Sequence, residues 1–261
     1  MSSTEDFRGK WALVTGASAG IGVALARELA LRGARLILTA RRKERMEALA
    51  AELTARGTEV RIVTADLMDP GAPQAIFDAT EGAGLTVDVL INNAGLGQYG
   101  YVHESKIAQE LGQIRVNCEA MVALTRLFVP RMVERKRGWV MVLASTASFQ
   151  PVPFLSTYAA TKAFDRFFSL GLAEEVAPFG VKVTALCPGP TESEFLEVAG
   201  ASRFKRKSQS AEEVARLGVA ALASGRRTIV PYFAGAFTAF MVRLVPVGLI
   251  TWAVAKAARP K

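Results

Sequence analysis

The stretch Lys10–Leu31, KWALVTGASAGIGVALARELAL, decides the fold of this chain. Its apolar start, Trp11–Val14, is too short for a helix and has the length of a strand buried on both faces. Three glycines follow, Gly16, Gly20 and Gly22, and after them apolar residues recur at helical spacing. Glycine lets the backbone turn sharply and leaves no Cβ in the path of a phosphate group. The stretch therefore predicts a strand, a turn and a helix whose N-terminus can bind an anion.

Apolar strand candidates recur along the rest of the chain and alternate with segments of helical character. This alternation predicts a parallel sheet with helices on both faces. We expect one doubly wound α/β domain of the Rossmann type over residues 1–232, with a mostly parallel seven-stranded sheet, and an apolar C-terminal extension over residues 233–261. The predicted strands after the first are Arg35–Thr39, Val60–Thr64, Val87–Ile91, Trp139–Leu143, Val181–Leu186 and Thr228–Pro231.

Two helices have sequence features that define their ends. A long helix is expected at Ser105–Arg137, and Pro130 is expected to bend or divide it. Ser210 and Glu213 have the spacing of a capping box, which predicts a further helix that ends near Ala223.

Composition and charge argue against several classes of protein. The chain has 261 residues, of which 51% are apolar, and a formal net charge of +8. Its single histidine and two cysteines form no cluster at metal-ligand spacing, so we expect no metal site. The basic runs lack interleaved aromatic residues, which argues against nucleic acid as a partner. The polar N-terminus has no secretory signal, and we expect a cytoplasmic protein with reduced thiols.

Tyr158 and Lys162 are four residues apart, which puts both side chains on one face of a helix. Tyrosine has an ordinary pKa of about 10, too high for easy proton exchange at neutral pH. A neighbouring ammonium stabilises tyrosinate and lowers the pKa of the tyrosine. The pair indicates proton transfer, although an amphipathic helix with a lysine that reaches to solvent has the same spacing.

The tyrosine and lysine belong to an ordered set of motifs. TGASAGIG follows the first strand, Asn-Asn-Ala-Gly follows the fourth and Pro-Gly-Pro-Thr follows the sixth. With Asn117 and Ser145 between them, this set resembles the short-chain dehydrogenase/reductase family over Arg8–Val230. The resemblance implies an oxidoreductase that transfers hydride between a nicotinamide cofactor and a ketone or secondary alcohol.

The same resemblance implies a role for each catalytic residue. Tyr158 is the acid in carbonyl reduction or the base in alcohol oxidation, and Ser145 donates a hydrogen bond to the reacting oxygen. Lys162 binds the nicotinamide ribose, Asn117 holds a water in a proton path to solvent, and Thr191 reaches the carboxamide. The residues implied around the cofactor are Thr15, Gly16, Ser18, Gly20, Ile21, Arg41, Arg42, Asp66, Leu67, Asn93, Ala94, Gly95, Tyr158, Lys162, Pro188, Gly189 and Thr191.

Arg41 and Arg42 follow the second strand, where a family member that uses NAD would carry an acidic residue for the ribose 2′-hydroxyl. Guanidinium groups match the oxygens of a 2′-phosphate, so the sequence predicts a preference for NADP(H) over NAD(H). One of the two arginines is alternatively a solvated residue at the start of the next helix. By resemblance Asp66 accepts a hydrogen bond from the adenine amino group, and it equally suits the turn before a helix at Pro73–Thr80.

The function predicted is an NADP(H)-dependent carbonyl reductase. Its substrate pocket is expected to be apolar, which points to a hydrophobic ketone or alcohol of lipid, steroid or acyl type. The alternative is a non-catalytic NADP(H)-binding sensor or scaffold, which has no need of Ser145, Tyr158 and Lys162. The residues expected to line the pocket are Leu96, Ser145, Ala147, Phe149, Phe154 and Leu196.

The helices around Asn117 and Tyr158 carry more apolar residues than one buried face requires. In the family, the equivalent helices pack against a two-fold copy, so we expect a homodimer or a tetramer. The alternative is that the surplus packs within the subunit. The residues concerned are Val122, Leu124, Phe128 and Val129 in the first helix and Phe164, Phe167, Phe168 and Leu170 in the second.

The C-terminal extension contains two apolar runs, Ile229–Val242 and Leu244–Ala255, separated by Arg243. Each is shorter than the ~20 residues that span a bilayer, and joining them would place an arginine at mid-membrane at a cost of at least ~2.5 kcal/mol. The extension therefore predicts a lid over a hydrophobic pocket, a subunit contact or a helix in the interface at the inner face of a membrane. Trp252 and Lys256 favour peripheral membrane association, because aromatic rings and cations suit lipid headgroups.

Overall fold

The strands form where short runs of Val, Leu and Ile are buried on both faces, as in β1, Trp11–Thr15, and β4, Val87–Asn92. The computed structural model describes residues 7–201, 209–242 and 244–260. Within them seven strands form one sheet in the order β3-β2-β1-β4-β5-β6-β7, and every neighbouring pair is parallel. The other strands are β2 at Arg35–Ala40, β3 at Val60–Thr64, β5 at Gly138–Leu143, β6 at Val181–Leu186 and β7 at Thr228–Ile229. The predicted doubly wound α/β fold is confirmed.

Helices cover both faces of the sheet, and each face has its own apolar core. One core contains side chains from helices near Leu25, Met46 and Leu222. The other contains side chains from helices near Ile76 and Phe128. The helices are α1 Gly20–Leu31, α2 Lys43–Thr54, α3 Ala72–Asp78, α4 Ile107–Ile114, α5 Ala120–Glu134, α6 Ser156–Val176, α7 Phe195–Val198, α8 Ala211–Ser224, α9 Phe233–Met241 and α10 Val247–Ala258.

The predicted long helix is divided, but not at Pro130. Pro130 lies inside α5, and the division is a π-helical turn at Arg115–Glu119 between α4 and α5. The wider turn is stabilised from outside the helix, because the side chain of Asn117 hydrogen-bonds both the N–H and the C=O of Leu96. π-Turns of this kind are frequent at functional sites.

The start of α8 follows its sequence signature. The Ser210 hydroxyl accepts a hydrogen bond from the backbone N–H of Glu213 at 3.1 Å, as the capping box predicts. A glycine in the left-handed region, Gly225, follows the last turn.

The apolar residues that the sequence assigns to a dimer contact lie partly in the core and partly on the surface. In α5 the predicted dimer residues Leu124, Phe128 and Val129 are buried in the core of the subunit, so the expectation of a surplus there is corrected. In α6 Phe164 and Phe167 are exposed.

The C-terminal extension forms α9 and α10, which follow the last strand. Neither these helices nor any other in the described part of the chain has the length and apolar character to cross a bilayer. Arg243, whose charge entered the sequence argument, lies outside the described residues.

Candidate active site

The main cavity lies where the carboxyl ends of β1 and β4 meet, at the point where the strand order reverses. Its volume is about 670 Å³. Ligands of doubly wound folds bind at this position in the sheet. Thr15 and Asn93 hold the two strand ends together: the Thr15 hydroxyl accepts from the backbone N–H of Asn93 at 3.0 Å, and the Asn93 amide donates to the carbonyl of Thr15 at 2.7 Å.

Glycines bring the turn after β1 directly against this junction. Gly16 has φ +68°, and a Cβ on it would lie 2.7 Å from Asn93 Nδ2. A Cβ on Gly22 would lie 2.3 Å from the carbonyl oxygen of Gly16. No side chain fits at either position, so the two glycines allow a close approach of the backbone. This approach places the N-terminus of α1 at the wall of the cavity, where free N–H groups favour an anion.

Arginines line the cavity beyond this turn. The Arg42 guanidinium donates to Ser18 Oγ at 3.2 and 3.3 Å and to Glu194 Oε2 at 2.7 Å. Glu194 also accepts from Arg45, and the hydrogen bonds from Arg42 and Arg45 hold the pKa of Glu194 below its ordinary value. Arg41 is exposed on the same wall. This end of the cavity therefore has the cations and hydroxyl donors that suit a phosphate group.

The predicted catalytic residues converge from two elements at the other end of the cavity. Tyr158 and Lys162 lie on α6, and Ser145 follows β5. The ammonium of Lys162 lies 5.9 Å from the centre of the Tyr158 ring and donates to the carbonyl of Leu143 at 2.7 Å. Ser145 Oγ accepts from the N–H of Ala147 at 3.1 Å and lies 3.5 Å from the carbonyl oxygen of Pro188.

Burial raises the pKa of Tyr158 above its ordinary value, while the Lys162 charge and a hydrogen bond with Ser145 act to lower it. The lysine thus acts in the direction that the sequence predicts, but burial outweighs it and the net direction of the shift is upward. Tyr158 is therefore protonated at neutral pH and available as an acid.

Three of the predicted site residues lie away from the cavity wall. Thr15 lies beneath the glycine turn, and Asn117 is held by Leu96 and by the Thr161 hydroxyl at 2.8 Å. Phe154 has φ +69° and packs on the ring of Tyr101 instead. From the predicted set, the wall contains Gly16, Ser18, Gly20, Ile21, Arg41, Arg42, Asp66, Leu67, Asn93, Ala94, Gly95, Leu96, Ser145, Ala147, Phe149, Tyr158, Lys162, Pro188, Gly189, Thr191 and Leu196.

Two of these residues use their polar groups locally. Asp66 Oδ1 accepts from the N–H of Met68 at 3.0 Å, which closes the turn after β3. The Thr191 hydroxyl donates to the carbonyl of Gly189 at 3.0 Å.

Phe195 is a wall residue that the sequence argument missed. Its ring centre lies 5.4 Å from that of Tyr158. A Cβ on Gly97 would lie 2.7 Å from the Phe195 ring, so this glycine allows the ring to pack beside the tyrosine. The only sequence signal was its position next to Leu196.

The C-terminal extension closes one side of the cavity. Small residues of α9 and α10 line the wall: Gly235, Thr238, Ala239, Val254, Ala257 and Ala258. The Tyr99 hydroxyl donates to the carbonyl of Ala258 at 2.6 Å and ties α10 to the domain. Large apolar side chains on the outer side of the same helices are exposed: Phe237, Phe240, Leu249 and Trp252.

The residues present fit a dinucleotide. The glycine turn is a cradle that a Cβ would fill, and the cationic end and the Tyr158 end belong to one continuous wall. Among the described residues no group of three His, Cys, Asp or Glu side chains is placed to hold a metal ion.

Comparison with known proteins gives the family of this chain. The model of the family described as short chain dehydrogenase matches residues 10–203. A very-long-chain 3-oxoacyl-CoA reductase of Anas platyrhynchos is 32% identical over 250 residues, which cover 93% of this chain and 78% of that protein. This chain belongs to the short-chain dehydrogenase/reductase family and is an oxidoreductase. It spans 53% to 59% of the length of several other reductases of the same name.

Solved structures of the family have the same fold. A short-chain dehydrogenase from Sphingobium yanoikuyae in complex with NADPH is 31% identical, with a TM-score of 0.82 over 92% of this chain and 95% of that one. A short-chain dehydrogenase/reductase from Burkholderia phymatum in complex with NAD is 26% identical, with a TM-score of 0.84 over 90% of this chain and 93% of that one.

Proposed function

We propose that this chain is an NADP(H)-dependent reductase of hydrophobic ketones, with Tyr158 as the general acid. One observation carries the proposal: a single cavity joins the glycine turn and Arg42 at one end to Ser145, Tyr158 and Lys162 at the other. A non-catalytic sensor would need the first end and not the second.

The chain's own residues supply the proton and hold the carbonyl group. Bound NADPH would supply the hydride that the carbonyl carbon accepts. Tyr158, which is protonated at neutral pH, donates its hydroxyl proton to the carbonyl oxygen, so that ketone, hydride and proton give a secondary alcohol. Ser145 Oγ accepts from the Ala147 N–H and donates to the Pro188 carbonyl at 3.5 Å, and with a ketone bound its hydrogen would turn to the carbonyl oxygen of the substrate.

The preference for NADP(H) rests on Arg42 and Arg41. Arg42 is already oriented by Ser18, a residue of the glycine turn, and a 2′-phosphate there would replace Glu194 as its anionic partner. No aspartate or glutamate occupies residues 36–43 to accept from the 2′-hydroxyl of NAD.

The substrate proposed is a ketone on a long apolar group, such as a fatty acyl chain. Phe149, Phe195 and Leu196 line the cavity beside Tyr158, and the inner faces of α9 and α10 continue the same apolar wall. The relative named very-long-chain 3-oxoacyl-CoA reductase supports an acyl substrate.

A panel of ketones tests this function. Purified protein is mixed with NADPH and with ketones of graded apolar length, from acetone to 3-oxoacyl and steroid ketones, and the loss of NADPH absorbance is followed. We expect turnover to increase with apolar length. Binding of NADPH without turnover of any ketone would favour the sensor instead.

We also propose that a second copy of the chain packs on α4 and α6. Apolar side chains of both helices are exposed in one subunit: Ile107, Leu111 and Ile114 on α4, and Phe164 and Phe167 on α6. The two helices contact each other, so that their exposed side chains border one surface. A two-fold copy would bury this surface, and the family's use of the equivalent helices supports it.

The outer side of α9 and α10 is proposed to contact a lipid bilayer. Phe240, Leu249 and Trp252 are more than half exposed. The ammonium of Lys256 lies 5.5 Å from the Trp252 ring, and a cation beside an exposed aromatic ring suits the headgroup region of an anionic membrane. Because the inner sides of these helices line the cavity, a bilayer there would lie beside a wall of the substrate site.

A further inference from the structure

Asp165 is a buried carboxylate one helical turn beyond the lysine of the site. Its Oδ2 atom accepts from the ammonium of Lys162 at 3.0 Å. The side chains of Asp165 and Lys162 are only 2% and 5% exposed. The ion pair is therefore shielded from water, where electrostatic interactions are strong.

This carboxylate neither lines the main cavity nor caps its helix. Asp165 does not belong to the cavity wall, whereas Lys162 does. Within the described residues its side chain makes one hydrogen bond, to Lys162, and its Oδ1 has no partner. A buried ion pair is weak evidence for a contribution to stability, because desolvation of the two charges offsets their attraction. The function of Asp165 is therefore to be found in what it does to Lys162.

The ammonium of Lys162 has three N–H donors. One is directed to the carbonyl of Leu143 and one to Asp165, and these two acceptors lie on different elements, the end of β5 and α6. Together they fix the nitrogen beside Tyr158 and leave one N–H for the cavity.

We propose that Asp165 is a positioning residue, which holds the Lys162 ammonium beside Tyr158 and offsets part of its charge, so that Tyr158 keeps its proton to a higher pH than the lysine alone would allow. This inference rests on the proposed function. It assigns the placement and the net charge of the site around Lys162 to a residue that lies outside the wall of the main cavity.

The titratable groups that face Asp165 are Lys162, Tyr158 and Cys118, and the charge of Asp165 acts to raise the pKa of each. Burial acts to lower the pKa of Lys162, but Asp165 and Tyr158 outweigh it and raise that pKa above its ordinary value. Burial raises the pKa of Tyr158, and the charge of Asp165 adds to the rise. Burial raises the pKa of Cys118 to about 12, so this neighbouring thiol stays neutral. Arg166, the next residue, places its guanidinium over the ring of Phe149 at 4.2 Å.

The test is Asp165→Asn, which keeps the shape of the side chain and removes its charge. Tyrosinate formation is followed by ultraviolet difference titration. A protein that carries Tyr158→Phe as well is the blank, because its signal comes from the other three of the four tyrosines. We expect the midpoint of Tyr158 to move to lower pH by roughly one unit, since the ammonium then acts without its counter-charge. The pH above which ketone reduction is lost is expected to fall as well.

Three further variants define the outcome. Ser169→Ala removes a buried hydrogen bond to the Asp165 backbone on the same helix and should leave the midpoint unchanged. Asp165→Glu should restore the parent midpoint in part.

An unchanged or higher midpoint of Tyr158 in Asp165→Asn would overturn the proposal. A midpoint beyond the accessible pH range both in the parent protein and in Asp165→Asn would overturn it too. Asp165→Val is the second neutral variant, and failure of both neutral variants to fold would show a structural role instead. The titration needs no turnover, so a shifted midpoint without ketone reduction would refute only the proposed function.

Discussion

The carboxylate of Glu194 lies between Arg42 and Arg45 and accepts a hydrogen bond from each, at 2.7 Å from Arg42 Nη1. Glu194 belongs to the segment between β6 and α7, which also carries Thr191 and leads to Phe195 beside Tyr158. The proposed phosphate end of the cavity is thus connected by one short segment to its catalytic end. A 2′-phosphate at Arg42 would have to displace this carboxylate.

Glu194→Gln is therefore expected to tighten the binding of NADPH several-fold and to leave NADH almost unchanged, because the substitution removes an anion that competes for Arg42. Binding is measured by nucleotide fluorescence at constant ionic strength. Glu213→Gln is the matched control, since Glu213 is an exposed glutamate that pairs with Arg216 away from the cavity. Weaker NADPH binding by Glu194→Gln would mean that Glu194 holds its segment closed over the cofactor instead.

Arg42→Ala is expected to weaken NADPH binding more than Arg41→Ala, because Arg42 alone of the two is oriented by Ser18. A hydrogen bond to a charged group contributes about 1.5–3 kcal/mol, which corresponds to roughly a 10- to 100-fold loss of affinity. NADH should lose little in either variant. Equal losses for both cofactors would refute the preference for NADP(H).

Tyr158→Phe removes the proton donor and keeps the ring against Phe195, so folding and NADPH binding should survive. Turnover of the best ketone should fall by roughly 10²–10⁴-fold, the usual contribution of a general acid. Single-turnover kinetics with the variant saturated in NADPH measure the loss directly. Near-normal turnover would show that another group supplies the proton.

The strands and the motifs at their ends were predictable because they depend on local pattern. Trp11–Val14 is a continuous apolar run, and a residue that follows a parallel strand must lie at the carboxyl edge of the sheet. Tyr158 and Lys162 follow the same logic, since helical spacing fixes their common face.

The contacts that the sequence could not predict join distant parts of the chain. Glu194 lies 152 residues from Arg42, and no spacing rule connects them. The π-turn at Asn117 depends on the backbone of Leu96, which holds the asparagine from another loop. Phe154 and Phe195 are equally apolar, but Phe154 has φ +69° and packs on Tyr101, whereas Phe195 lies on the cavity wall.

Phe167→Ser tests the proposed second copy on α4 and α6. Phe167 is 67% exposed in the subunit, so the substitution should leave the fold intact while it removes apolar area from the contact. Sedimentation of the parent protein at micromolar concentration is expected to give a dimer or tetramer, and the variant should dissociate at a higher concentration than the parent. A monomeric parent would refute the contact.

Phe240→Ser combined with Trp252→Ser tests the proposed bilayer contact of α9 and α10. Both side chains are exposed on the outer side of the extension, so their loss should leave the cavity wall and the reduction of a short soluble ketone unchanged. We expect the parent protein to float with anionic liposomes and the double variant to stay in the dense fraction, because apolar burial and the charge of Lys256 act together at the headgroups. Phe167→Ser is the matched control for an exposed aromatic lost elsewhere, and it should float as the parent does. If the parent stays in the dense fraction at low salt, the outer side of α9 and α10 does not bind lipid.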